Sequence, residues 1–398
     1  MPLRNGFLLL LLVISGCSSI GVPSFLSKND AAIVTFSNGR DVANIPFTEI
    51  NEQIVFDAVL NNNKKVRLLL DSGAQTSVLF ETINIRKSSL KLVDSIEVGG
   101  MGGSDSTLAH ITSPVALRMG GAKIEGLSFL FVDAKDNPFF SRPEMAYFDG
   151  IIGYDLFSKL ALNINYDEKK FRLLNGSEEM PEGYSQLPLK IRSRLSFVNL
   201  EISTRSSSTN ERAIVDTGAV GNVSLSGASL KPLEGEVLYE GKTIGLGGSA
   251  RTLSVKFEEV VLGGHGIADV HGALSMKPES DGPSVLGTGI LRRFNLVFDY
   301  PNQSLFLQPN KNFDTPDVPN LFGLTLIPIN EGAIVLDVRE SSAAEINEFK
   351  PNDVITKFDN IDIGPSNFSD LVSRLNANMI KTFCVKNDNV ENCDDIEF

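Results

Sequence analysis

Two short phrases carry the chemistry this chain could perform. Leu68 to Leu79 reads LLLDSGAQTSVL, and Ala213 to Leu225 reads AIVDTGAVGNVSL. In each, an apolar run drives into an acid, Asp71 or Asp216, and the chain then turns on Ser-Gly-Ala or Thr-Gly-Ala. An apolar run reads as a buried strand, and an ionised carboxylate at its end is costly unless something holds it. Asp-Ser-Gly is also ordinary turn chemistry. The repetition favours a chemical purpose. Two such acids brought together cannot both ionise cheaply, so they would share one proton. The charged one could then take a proton from water while the neutral one hydrogen-bonds a carbonyl.

The surrounding sequence is written twice as well. The acids lie 145 residues apart (71 and 216), and so do the Gly-rich blocks GMGGSDSTL and GLGGSARTL (100 and 245). ALRMGG (116–121) recurs as VVLGG (260–264). FDGIIGYDLFSKLALNINYDEKKFRL (148–173) recurs as PSVLGTGILRRFNLVFDYPNQSLFL (283–307), with Gly153 facing Gly287. Four blocks in one order mean a duplicated unit. The texture is β: short segments rich in Val, Ile, Leu and Phe, separated by Gly, Asn, Asp and Ser. Residues 54–71 read as a hairpin turning at Asn61 to Lys64, and 197–216 repeat it with a longer loop. Helical pattern is scarce; short candidates follow the two braces at Asp155–Leu160 and Ile290–Phe294. Two similar lobes related by a pseudo-twofold would bring Asp71 and Asp216 side by side.

The duplicated ensemble resembles the retropepsin-like aspartic proteases, across both lobes. The resemblance implies a mainly β fold of two retropepsin- or pepsin-like lobes, hydrolase activity on extended polypeptide, catalysis by Asp71 and Asp216, and no cofactor or metal. It implies that Ser72 and Thr217 cross-link the catalytic loops. Gly73 and Gly218 would sit where a side chain obstructs, and Gly153 and Gly287 would brace the loops. Gly100, Met101, Gly102 and Gly103, with Gly245, Leu246, Gly247 and Gly248, would form substrate flaps. Ala74 and Ala219 stand where pepsin-like relatives often carry a hydroxyl, which would lower a carboxylate's pKa; its absence points to mildly acidic or near-neutral activity. Gly289 replaces Asp155 after the second brace, so that helix start lacks a capping acid. The chain supplies both halves of the dyad, so a monomer suffices.

The chain has 398 residues and a formal net charge of −13, which argues against nucleic acid and anionic membrane surfaces as partners. No internal segment reads as long enough to span a bilayer. Arg4 followed by FLLLLLVIS (7–15) reads as a signal segment. Its end, Ile14-Ser15-Gly16-Cys17, resembles the bacterial lipoprotein processing box, which implies a signal peptide of residues 1–16 and lipidation of Cys17. Ser18 then favours the outer membrane, with the protein facing the periplasm. A plain secretory signal is the alternative. Cys384 and Cys393 remain as a disulfide pair or as two free thiols. His110, His265 and His271 offer no metal-ligand spacing.

The expected organisation is a tether over 17–44, lobe 1 over 45–174, a linker over 175–186, lobe 2 over 187–309, a Pro-rich linker over 310–320 and a β-rich domain over 321–398. The last resembles a bacterial PDZ domain in Phe322-Gly323-Leu324, GAIVLDV, SSAAE and KPNDVITKFDNIDI, with FSDLVSRLN (368–376) as a helix. That implies capture of protein C-termini beside Leu324 to Ile327, a strand that Pro328 would interrupt. A purely structural cap is the alternative. Likewise the whole chain could be an inactive or weak peptide-binding envelope lipoprotein rather than an endopeptidase, or a structural lipoprotein with no ligand.

Overall fold

A computed structural model of the chain describes residues 6–8, 12–13, 21–37, 42–61, 63–100, 106–137, 142–175, 182–205, 207–226, 237–245, 248–276, 283–387 and 390–398. The fold is mainly β. The two lobes repeat one motif. In the first, strand Lys64–Leu70 delivers Asp71 and runs parallel to the brace strand Gly150–Ile152, which pairs antiparallel with Val78–Phe80. In the second, Ser208–Val215 delivers Asp216, runs parallel to Ser284–Leu286, and that strand pairs with Val223–Leu225. Residues Leu68, Leu69 and Leu70 are wholly buried, as are Ala213, Ile214 and Val215. Continuous apolar runs are what strands covered on both faces require.

A six-stranded sheet joins the lobes, in the order 185–188, 304–309, 294–299, 161–165, 170–174, 42–46. Its two halves mirror each other about the central pair, where Leu162 faces Phe298 and Ile164 faces Leu296. The large core runs through both lobes, with Phe157, Phe171, Phe294 and Phe298 fully buried. Each lobe also sends a two-residue hairpin turn toward the other. Asn51 and Glu52 (φ 51° and 65°) and Ser193 and Arg194 (φ 48° and 65°) all sit in the left-handed region that such tight turns demand. Glu52 accepts from the Gly221 N–H at 3.2 Å and from the Thr288 hydroxyl at 3.3 Å. Arg194 donates to the Gln75 carbonyl at 2.6 Å, to Asp30 at 2.6 Å and to the buried Asp155.

Several expectations change here. The 17–44 segment, expected as a tether leading into an edge strand, carries further structure before that strand. Helix Gly21–Asp30 buries Phe25, strand Ile33–Phe36 extends the first-lobe sheet, and Val42–Pro46 edges the joining sheet. Asn29 fixes the helix by a two-way amide contact with Ser128, 2.9 Å in each direction. Residues Gly6–Leu8 and Leu12–Val13, inside the apolar segment, are strands laid on the two Gly-rich hairpins. The short helices start directly after the brace glycines, at Tyr154–Phe157 and Thr288–Leu291, rather than further along. Asp155 caps no helix. It accepts from Thr76 and the Ser77 N–H at 2.9 and 2.7 Å, besides Arg194. At Gly289 a Cβ would come within 2.3 Å of Asn222 Oδ1, so that amide takes the space instead.

The C-terminal domain is a sheet in the order 324–329, 332–338, 354–358, 382–387, 390–395, with helix Phe368–Asn376. Pro328 lies within strand Leu324–Ile329, opposite Ala333, because this is the edge strand and a missing N–H costs little there. Phe322 is buried, Gly323 has φ 101°, and Leu324 joins the domain core. Cys384 and Cys393 face each other across a hairpin and form a disulfide. The segment after Asn310 is held to the second lobe, since Asp317 accepts from Asn222 and His271 at 2.8 and 2.9 Å. The domain touches both lobes: Asn330 meets Arg67 and the Glu144 carbonyl, Asp337 pairs with Lys242 at 2.5 Å, and Arg339 stacks over Tyr239.

Arg194→Ala removes the cation paired with Asp155, whose side chain is 0 % exposed. A buried charge left alone costs about 3 kcal/mol or more, against at most about 1 for an exposed pair. Urea denaturation should therefore show a large loss for Arg194→Ala and almost none for Lys123→Ala, which breaks the surface pair with Glu125.

Candidate active site

The repeated acids meet at the junction of the lobes. A Cβ on Gly73 would lie 2.3 Å from Asp216 Cγ, and one on Gly218 would lie 2.4 Å from Asp71 Cγ. Each glycine is therefore the floor on which the opposite carboxylate rests. Neither has a left-handed φ, so close approach is the reason for glycine here. Within its own loop, Asp71 Oδ1 accepts from the Gly73 N–H at 2.8 Å, and Asp216 Oδ1 accepts from the Gly218 and Ala219 N–H groups at 2.8 and 3.0 Å.

The neighbouring hydroxyls tie the loops together. Ser72 N–H donates to Thr217 Oγ1 and Thr217 N–H to Ser72 Oγ, each at 3.0 Å. The Ser72 hydroxyl donates to the Val215 carbonyl at 2.7 Å and the Thr217 hydroxyl to the Leu70 carbonyl at 2.8 Å. Four reciprocal bonds, all buried, fix one loop against the other. The braces act from behind: Asp71 N–H donates to the Ile152 carbonyl and Asp216 N–H to that of Leu286, both at 3.0 Å. A Cβ at Gly153 or Gly287 would come within 2.4 Å of a loop carbonyl, Ala74 or Gly221.

Both acids are 0 % exposed. Burial is the main force raising each above the ordinary carboxylate value of 3.8. Asp71 rises well above it, helped by the charge and hydrogen bond of Asp216, and Asp216 is pushed up to about 6. Oδ2 of each acid has no donor among the described residues. Two bare carboxylates cannot bond each other, so one proton held between them satisfies both atoms and removes the repulsion. The pair can thus accept one proton and donate another, the requirement for activating water against a carbonyl.

Two hairpins, 92–100 with 107–112 and 237–245 with 248–262, run up to the Gly-rich blocks. Gly100, Gly245 and Gly248 lie at their ends, with Gly245 opposite Gly248. Met101, Gly102, Gly103, Leu246, Gly247 and Cys17 lie outside the described residues. Sequence reasoning missed Gln53 and Tyr147, both wholly buried beside the second loop; only a polar residue heading an apolar strand could have marked Gln53. His265 and His271 pair with Ser185 and Asp317 rather than with each other.

A family described as aspartyl protease matches residues 56–156, a stretch that includes Asp71, its loop and the Gly153 brace. Among solved structures, the chain is similar to the aspartic proteinase from Irpex lacteus at 16 % identity and a TM-score of 0.44, over 69 % of this chain and 98 % of that one. No curated protein matches the chain.

The raised acids set a sign for stability. Between pH 3.8 and about 6 the folded pair holds protons that the unfolded chain has released. Stability should therefore fall as pH rises through that window, the reverse of a salt-bridged carboxylate. Urea midpoints measured across it should show the decline in the native protein and lose it in the Asp71→Asn/Asp216→Asn variant.

Proposed function

We propose that this protein is an aspartic endopeptidase that hydrolyses extended polypeptide with water activated by the Asp71–Asp216 pair. The observation that carries the proposal is the facing of two buried acids across loops locked by Ser72 and Thr217. One ionised carboxylate takes a proton from water as its oxygen attacks the peptide carbonyl. The neutral one donates its proton to the carbonyl oxygen. No covalent intermediate on the protein is needed.

Substrate shape follows from the hairpins. Gly6–Leu8 pairs with Lys242–Ile244, and Leu12–Val13 pairs with Gly99–Gly100. Both hairpins thus have backbone edges that accept an added strand, and an extended substrate would take those edges by strand addition. In this reading residues 1–16 are a signal peptide, Cys17 carries lipid, and the protein works from the outer membrane toward the periplasm as a monomer, without cofactor. The disulfide fits an oxidising compartment. The C-terminal domain is read as PDZ-like. Its edge strand 324–329 and helix 368–376 line a cavity of about 500 Å³ shared with the second lobe, including Leu324, Leu326, Phe368 and Asn222, and a polypeptide C-terminus would occupy it.

Asp71→Asn and Asp216→Asn should each abolish cleavage of an unfolded protein, by at least about a thousandfold in kcat, with the fold retained by circular dichroism. Turnover surviving in either purified variant would end the shared-pair account.

A further inference from the structure

The pair is symmetric in sequence but not in its supports. Tyr147 hydroxyl donates to Gln53 Oε1 at 2.6 Å, and Gln53 Nε2 donates to the Gly218 carbonyl at 2.5 Å. The orientation of the amide is forced, because a carbonyl can only accept and so must face the nitrogen. The same peptide group that takes this bond on its oxygen uses its other end, the Ala219 N–H, to donate to Asp216 Oδ1 at 3.0 Å. Hydrogen bonds in series polarise one another, so the chain from Tyr147 through Gln53 strengthens donation onto Asp216. All of it is buried: Tyr147, Gln53 and Asp216 are 0 % exposed.

Among the described residues the first loop has no such chain. Val55 faces Leu69 as Phe197 faces Ile214, so the counterpart of Gln53 at the head of the second-lobe strand is Leu195, which has no group to donate. Among the described residues no side chain donates to the Gly73 carbonyl. The charged and titratable groups facing the pair, among the described residues, are the two acids themselves and Tyr300, whose buried hydroxyl has its pKa raised and is neutral.

We propose that Gln53 and Tyr147 are positioning residues that fix Asp216 as the ionised member of the pair and Asp71 as the proton donor. This rests on the peptidase reading for its chemical consequence. Asp216 removes a proton from water, the water oxygen bonds the carbonyl carbon, and the Asp71 proton passes to the carbonyl oxygen. In the collapse, Asp216 gives its proton to the departing nitrogen as the C–N bond breaks. A gem-diol hydroxyl then returns its proton to Asp71. Protons and electron pairs balance, and the pair is restored. The stronger upward pKa shift of Asp71 agrees with this order.

The test uses the full chain with carboxyl ¹³C-labelled aspartate, the two resonances being assigned with Asp71→Asn and Asp216→Asn. In the native protein the lower titration step should belong to Asp216. Tyr147→Phe, which keeps the ring, and Gln53→Met should each move that step up by about half a pH unit or more. In a fluorogenic peptide assay the acidic limb of kcat should move up with it, with KM little changed. A lower step on Asp71, or an unmoved step in a folded Tyr147→Phe protein, overturns the inference. A native protein that titrates as described yet cleaves nothing overturns the peptidase reading and leaves the positioning chain standing.

Discussion

Two carboxylates buried face to face repel each other unless they share a proton, and the rest of the site follows from holding them there. Glycine is required at 73 and 218 because each is the surface on which the opposite acid lies. Hydroxyl residues are required at 72 and 217 because the loops must be locked against that repulsion by groups able to donate and accept at once. The brace strands then hold each loop from behind through its first backbone N–H.

Such a pair also demands that two independent lobes keep their register. The joining sheet supplies this through main-chain pairing about its centre. The turns at Asn51-Glu52 and Ser193-Arg194 add a second, reciprocal restraint. Left-handed backbone at a glutamate and an arginine is uncommon, and here it aims charged side chains across the junction. Symmetry stops at that level. Asp155 receives Arg194 in one lobe, whereas in the other Asn222 fills the place beside Gly289.

Much of this was legible in the sequence. The repeated Asp-Ser/Thr-Gly phrases, the hairpins at 54–71 and 197–216, the brace blocks and the helix at 368–376 all depend on local pattern, and the corresponding strands and helix stand where that pattern puts them. What escaped depends on contacts distant in the chain. Helix 21–30 has no strong apolar stripe and is fixed by Asn29 reaching Ser128. Gln53 meets Gly218 across 165 residues, and no local rule marks that meeting. Asp155 read as a helix cap because its partner Arg194 belongs to the other lobe. The seating of the C-terminal domain on Arg67, Lys242 and Tyr239 was invisible for the same reason.

Neutron diffraction from a deuterated crystal at near-neutral pH addresses the shared proton most directly. The account predicts a single deuteron between Oδ2 of Asp71 and Oδ2 of Asp216, bonded to Asp71. Two bare carboxylates separated by a cation, or acids too far apart to be bridged by one hydrogen or one water, would contradict it.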